Sequence, residues 1–401
     1  MKYSYILICS VILLCVSCSS LLDTDNNGSG NEMSVIFEIS VPEFTPQEDD
    51  VYLAGNINGW DPEDEQYRAT STAPNHYRLT IPLETSGTIL EYKFTRGGWN
   101  TVEKYADGSE MPNRTYTFQN TGETISIVIE NWADLSGGGT TITGNVIRIE
   151  DFEIPQLGRT RDLLIYLPPD YETEPDKQYP VLYMHDGQNL FDDYTSFAGE
   201  WGVDETLESF FYDDESDGVI VVGIENSSHR IEEYTPWEFQ YSGQTVGGEG
   251  DEYVAFIIET LKPYIDENFR TDSERETTGI AGSSLGGLIS FYAGMKHQDT
   301  FGLIGAFSSS FWVADNEILN FLETIEKDDD MRIYLDAGQL EGTMEGNGNS
   351  STVNDMIGVY DTLLDMGFNE IELNMIIDPE GEHNEAAWRR RFPPAFLWLF
   401  D

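Results

Sequence analysis

Basic side chains are scarce in this 401-residue chain: 21 Lys and Arg stand against 73 Asp and Glu, a formal net charge of -52. A surface so acidic repels phosphate backbones and argues against nucleic acid as a partner. Dense carboxylates also hold water, which keeps such a chain soluble, and no run has the spacing of a calcium loop. Cysteine is scarcer still: Cys9, Cys15 and Cys18 are the only three, so nothing after residue 18 can form a disulfide or serve as a thiol nucleophile. Long apolar runs are missing apart from Tyr5 to Val16, which is too short to span a bilayer stably. Histidines number five, so every candidate for a catalytic base can be weighed in turn.

That apolar run follows Lys2 and gives way to Ser17-Cys18-Ser19-Ser20 and a polar stretch reaching Asn31, which reads as an export signal. It resembles a bacterial lipoprotein signal, although Cys15 stands where a small or aliphatic residue is usual. The resemblance implies a signal peptide over 1–17, lipidation of Cys18, a tether over 18–32 and anchoring to the cell envelope, with contact to the membrane through the lipid alone. The rival reading is a plain secretory signal cleaved elsewhere.

From Met33 to about Trp132, short alternating runs such as Val35–Ile39, Val51–Ala54, Tyr77–Ile81, Leu90–Phe94 and Ile125–Ile129 are punctuated by Asn58-Gly59, Gly97-Gly98 and Asp107-Gly108. This predicts a β-sandwich of immunoglobulin-like class over 33–132. Residues 133–144, with Ser136-Gly137-Gly138-Gly139-Thr140, read as a flexible linker. After Asn145 the rhythm changes. Apolar strand candidates at Leu163–Leu167, Val181–Met184, Val219–Ile224, Thr277–Ala281, Leu303–Phe307, Arg332–Ala337 and Glu370–Ile377 alternate with helix-period segments. These predict an α/β domain over 145–401 with a mostly parallel sheet covered on both faces.

Within it, Gly282-Ser283-Ser284-Leu285-Gly286 joins a strand candidate to a helix candidate, the setting of a nucleophile elbow. A tight turn around a buried serine is the plainer reading. A serine hydroxyl needs an adjacent base to attack a carbonyl. Of the histidines, His76 lies in the β-module, His185 ends a strand, His229 sits in a polar loop and His297 closes the helix after the elbow. His383, in Gly381-Glu382-His383-Asn384 after the last strand candidate, is the base expected from position. Asp336, Glu341 and Asp378 remain open as the acid that would hold its tautomer.

Several stretches together resemble the esterase D, feruloyl esterase and enterochelin esterase group of α/β-hydrolases. They are Tyr183-Met184-His185-Asp186-Gly187-Gln188-Asn189-Leu190-Phe191, Gly199-Glu200-Trp201, Arg230 with Glu233-Tyr234-Thr235-Pro236, the elbow itself, and Gly381-Glu382-His383-Asn384. The resemblance implies an α/β-hydrolase fold and a triad of Ser284, His383 and, after Ala337-Gly338-Gln339-Leu340, Glu341. It also implies an oxyanion hole from the amides of Leu285 and Gln188, and no metal or organic cofactor. Trp201, Arg230, Tyr234 and Trp312 are candidates for the substrate cleft, each with core packing as the alternative. In the front module, Val51 to Asp61, Tyr92 to Trp99 and Asn113-Arg114 resemble starch- and glycogen-binding modules. Trp60 and Trp99 are therefore candidate sugar-stacking residues, the alternative being a spacer packed on the second domain.

The combined expectation is an exported serine carboxylesterase removing feruloyl or acetyl groups from a polysaccharide. A siderophore esterase and a glycan-binding surface lipoprotein without activity are its rivals.

Overall fold

The computed structural model describes residues 34–400 apart from 83–85, 107, 120–122, 136–139, 198, 242 and 329. The expected signal, Cys18 and the 18–32 tether lie outside the described residues.

Eight strands form the sheet of the second domain, in the spatial order Asn145–Ile154, Arg159–Leu167, Ile220–Ile224, Val181–His185, Thr278–Ser283, Leu303–Phe307, Arg332–Gly338 and Leu373–Asp378. The first two pair antiparallel with each other, and Arg159–Leu167 is also antiparallel to Ile220–Ile224; every later pair is parallel. The central strands are buried along their whole length. Their side chains alternate between two cores, so that Val181 and Tyr183 enter one while Leu182 and Met184 enter the other. Helices Leu285–Lys296 and Ser351–Asp365 contribute to the first core, and Val203–Tyr212 and Glu385–Phe400 to the second. Parallel strands need such cover on both faces, which is why continuous apolar runs foretold them.

In the front module seven strands share one hydrogen-bonded order, with Arg68–Ala73 pairing to Val51–Gly55 on one side and His76–Pro82 on the other. Phe37 of Ser34–Ser40 meets Tyr92 and Phe94 of Ile89–Thr95, with ring centroids 5.2 and 6.4 Å apart, closing an aromatic core.

Residues 136–139 of the expected linker over 133–144 lie outside the described residues. Its last residues are fastened to the second domain, since Thr140 Oγ1 donates to Asp192 at 2.9 Å, Thr141 Oγ1 to Glu200 at 2.9 Å and the Thr143 amide to Asp204 at 2.6 Å. Side-chain hydroxyls meeting buried carboxylates outweighed the flexibility that composition suggested.

The two modules also touch directly. The buried ammoniums of Lys93 and Lys104 both bind the Glu110 carboxylate. They also cross to the second domain, Lys93 donating to the Phe197 carbonyl at 2.5 Å and Lys104 to those of Asp193 at 2.6 Å and Ser196 at 3.0 Å.

Candidate active site

The elbow forms where strand Thr278–Ser283 meets helix Leu285–Lys296, at the carboxyl end of the sheet where α/β folds place their sites. Ser284 sits at φ 58°, ψ -122°, a left-handed turn that L residues adopt only under compensation. Its amide is held by the Phe307 carbonyl at 3.0 Å, and its own carbonyl takes the Ser310 amide at 3.0 Å. Gly282 has to be glycine, because a Cβ there would lie 2.8 Å from the Gly286 backbone.

His383 Nδ1 lies 3.0 Å from Glu341 Oε2. A carboxylate only accepts, so Nδ1 carries the proton and Nε2 is left with its lone pair. The other Glu341 oxygen takes the Ser308 hydroxyl and the Gly338 amide, both at 2.7 Å. Burial opposes ionisation of Glu341, but the hydrogen bonds from His383 and Ser308 outweigh it and hold the carboxyl below its usual range. Gly338 and Gly381 let the two loops approach: a Cβ on Gly338 would lie 2.2 Å from the Gly381 carbonyl oxygen. Of the other two acids, Asp336 is turned to the Ser308 amide, the Tyr334 hydroxyl and Arg391, and burial pushes it up to about 7. Asp378 is bound by Arg390 and caps the Glu380 amide at 3.1 Å. Neither has a hydrogen bond to His383.

Ser284 and His383 line one cavity of about 470 Å³, without a hydrogen bond between them. The serine hydroxyl instead meets Ser310 Oγ at 3.2 Å. Unliganded sites are commonly looser than the reacting complex, so the missing bond does not remove the pair from candidacy. Leu285 is the first residue of its helix, where no intrahelical acceptor exists for the amide. Gln188 lies within the buried turn Gly187–Asn189, next to Asp186 at φ 58°. That aspartate is fixed by a two-pronged contact from Arg230, at 2.7 and 2.8 Å, and by Asn226.

Of the four candidates for the substrate cleft, Arg230 and Trp312 line the cavity. Trp201 and Tyr234 do not. Trp201 packs against Phe307, Trp388 and Phe392, and Tyr234 lies beneath Arg230 and against His185; both are buried. Their apolar area is satisfied by core contacts, the commoner fate of an aromatic side chain. His185 is no rival base: burial pulls it down to about 3 and its Nδ1 is bonded to the Tyr253 hydroxyl at 3.0 Å. Trp60 and Trp99 line the same cavity as Ser284 rather than a separate face of the front module, and each packs on Phe197, at 5.2 and 4.2 Å between centroids.

Sequence reasoning missed the support beneath Glu341. The Ser308 hydroxyl receives Trp388 Nε1 at 2.9 Å and Arg391 at 2.8 Å while donating to Glu341. The run Ser308-Ser309-Ser310 after a buried strand was the available signal. Phe197 was missed as well, having no motif around it.

Glu385 was also missed. It is buried in the cavity wall, and burial together with nearby Asp186 pushes its carboxyl up to about 7. The native state therefore keeps a proton that the unfolded chain releases near the ordinary glutamate value. Between those two values stability falls as pH rises, by on the order of 3 kcal/mol for this group. Glu385→Gln mimics the protonated form, so its melting temperature should exceed the wild type's by clearly more at pH 8 than at pH 5. An equal difference at both pH values in thermal unfolding would contradict this.

Comparison with known proteins follows the same lines. The Esterase family model matches residues 154–399. The Bacillus subtilis protein YbbA is 31% identical over 247 residues, covering 60% of this chain and 92% of that protein. An alpha-amylase of Niallia circulans is 38% identical over 101 residues, which is 25% of this chain and 8% of the amylase. The crystal structure of an enterochelin esterase from Shigella flexneri matches with a TM-score of 0.51 at 14% identity, over 92% of both chains, a likeness of fold that takes in most of this molecule. The chain thus belongs to the Esterase family and is a carboxylic ester hydrolase with an α/β-hydrolase domain.

Proposed function

We propose that the protein is a serine esterase releasing aromatic acyl groups, of feruloyl type, from a polysaccharide or its oligosaccharides. The carrying observation is the cavity itself: Ser284 and His383 open into a space walled by Trp60, Trp99, Phe197, Phe239 and Trp312. Flat aromatic walls contributed by both modules suit a planar acyl group, which stacks favourably and fills the slot. The sugar-active name of the amylase relative supports a glycan as the alcohol partner.

In the reaction His383 Nε2 takes the hydroxyl proton of Ser284 as Oγ attacks the ester carbonyl carbon. The carbonyl oxygen gains the electron pair and is held by the amides of Leu285 and Gln188. Collapse of this intermediate expels the sugar alkoxide, which receives the proton from His383. Water then attacks the acyl-serine by the same steps, and the free acid leaves. Glu341 keeps its charge throughout and stabilises the imidazolium.

The expected lipid anchor at Cys18 would place this activity on the cell envelope.

A siderophore esterase is the second reading, favoured by the enterochelin esterase fold match. Ferric catecholates carry several negative charges, however. Among the described residues, the one Lys or Arg lining the cavity is Arg230, already paired to Asp186. The purified chain should therefore hydrolyse methyl ferulate and leave ferric enterobactin intact. Turnover of the siderophore without turnover of the ferulate ester, followed by chromatography, would reverse the assignment.

A further inference from the structure

We propose that a second groove, between the front module and the hairpin of the esterase domain, holds the saccharide portion of the ester. It is a saccharide subsite for a neutral glycan. This rests on the esterase reading above.

The groove encloses about 680 Å³ and is bounded by 56–67 and 88–90 of the β-module and by the hairpin strands Phe239–Tyr241 and Gln244–Val246. It shares Gly59, Asp61, Ser228, Ile231 and Tyr241 with the catalytic cavity, so the two spaces adjoin. An ester bond at Ser284 can thus have its acyl group among the aromatics while the alcohol runs toward the hairpin.

Three features fit a sugar. The floor is fixed: Asn58 bonds the Gly55 amide and the Leu53 and Asp61 carbonyls, and Asn56 bonds the backbone of Ile89 and Glu91. Gln66, Glu232 and Gln244 have side chains with no hydrogen bond to the protein among the described residues, which leaves donors and acceptors for hydroxyls. Ile89, 52% exposed, and Tyr241 offer apolar area to the C–H faces of a sugar ring. Among the described residues the lining includes Asp61, Asp64 and Glu232 and no Lys, Arg or His, so an anionic ligand would meet only like charge there.

The test compares one acyl group on two alcohols: methyl ferulate and a feruloylated xylo-oligosaccharide, with full-length wild type and Gln66→Ala/Gln244→Ala. Loss of two hydrogen-bonding carboxamides should lower kcat/KM on the oligosaccharide about 10-fold or more, mostly through KM, with the methyl ester unchanged. Gln244→Trp, which fills the groove away from Ser284, should do the same. Equal loss on both esters, or on neither, overturns the groove while the esterase reading stands. A wild type inactive on both esters refutes the esterase reading and the groove with it.

Discussion

Ser284→Ala is expected to lower kcat on a small aryl ester by about 10⁴-fold or more while leaving the fold intact. The hydroxyl makes one hydrogen bond, to Ser310, so its loss costs about 1 kcal/mol of stability at most. His383→Ala should be equally damaging. The double variant should be no worse than either single one, since nucleophile and base act as a unit. Glu341→Gln tests the acid. It accepts from His383 at 3.0 Å, so an amide there would present the wrong partner to Nδ1 and cost about 10²- to 10⁴-fold in kcat. Asp336→Asn serves as the contrast: it lacks a contact with the imidazole, and its kcat effect should be far smaller than that of Glu341→Gln. Steady-state kinetics on all five variants decides the matter. Retention of a tenth of wild-type activity by Ser284→Ala, or multiplicative losses in the double variant, would remove Ser284 from the nucleophile's role.

How much of this could be read from the chain follows from where each signal is local. The sheet was legible because strands such as Leu303–Phe307 and Val181–His185 are buried on both faces and so must be apolar throughout. Strand Asn145–Ile154 escaped notice for the opposite reason. It is an edge strand, half exposed, carrying Arg148, Glu150, Asp151 and Glu153, with a bulge between Ile149 and Phe152. Helix Val203–Tyr212 was hidden by charge, since only Val203, Asp204 and Leu207 of its ten residues are buried. At the site, Ser284 and His383 were marked by short glycine-flanked motifs, whose backbone demands are written in neighbouring residues. The acid was ambiguous because Asp336 and Glu341 lie five positions apart at one strand end. Which side chain faces the imidazole depends on the turn 338–341 and its contact with Gly381. Trp201 and Trp60 could not be sorted at all by composition. One fills the core and the other a cavity wall, and only long-range packing distinguishes them.

The largest stability effect should come from Glu110, where the two modules meet. Its carboxylate lies between the ammoniums of Lys93 and Lys104, whose side chains are both fully buried. Burial pulls Lys93 below its ordinary range and pushes Glu110 above its own, as expected of charges stripped of water. Glu110→Ala would leave two positive charges facing each other without a counterion, a cost of about 3–5 kcal/mol. Glu38→Ala makes the comparison sharp, because the Glu38–Arg78 pair is 36% and 53% exposed and should contribute under about 1 kcal/mol. Guanidinium denaturation of the two variants measures both numbers, and equal midpoints would show the buried cluster to be dispensable. Activity should fall with stability in Glu110→Ala. The carbonyls of Asp193, Ser196 and Phe197 are held by these same lysines, and Thr195 on that loop donates to the Gln188 carbonyl at 2.9 Å. A loosened loop should therefore disturb both the aromatic wall at Phe197 and the turn that carries Gln188, the proposed oxyanion donor. The lysine pair thus ties the β-module to the loop that bears Phe197: its counterion lies in its own module, and its remaining donors are taken by carbonyls of the second domain.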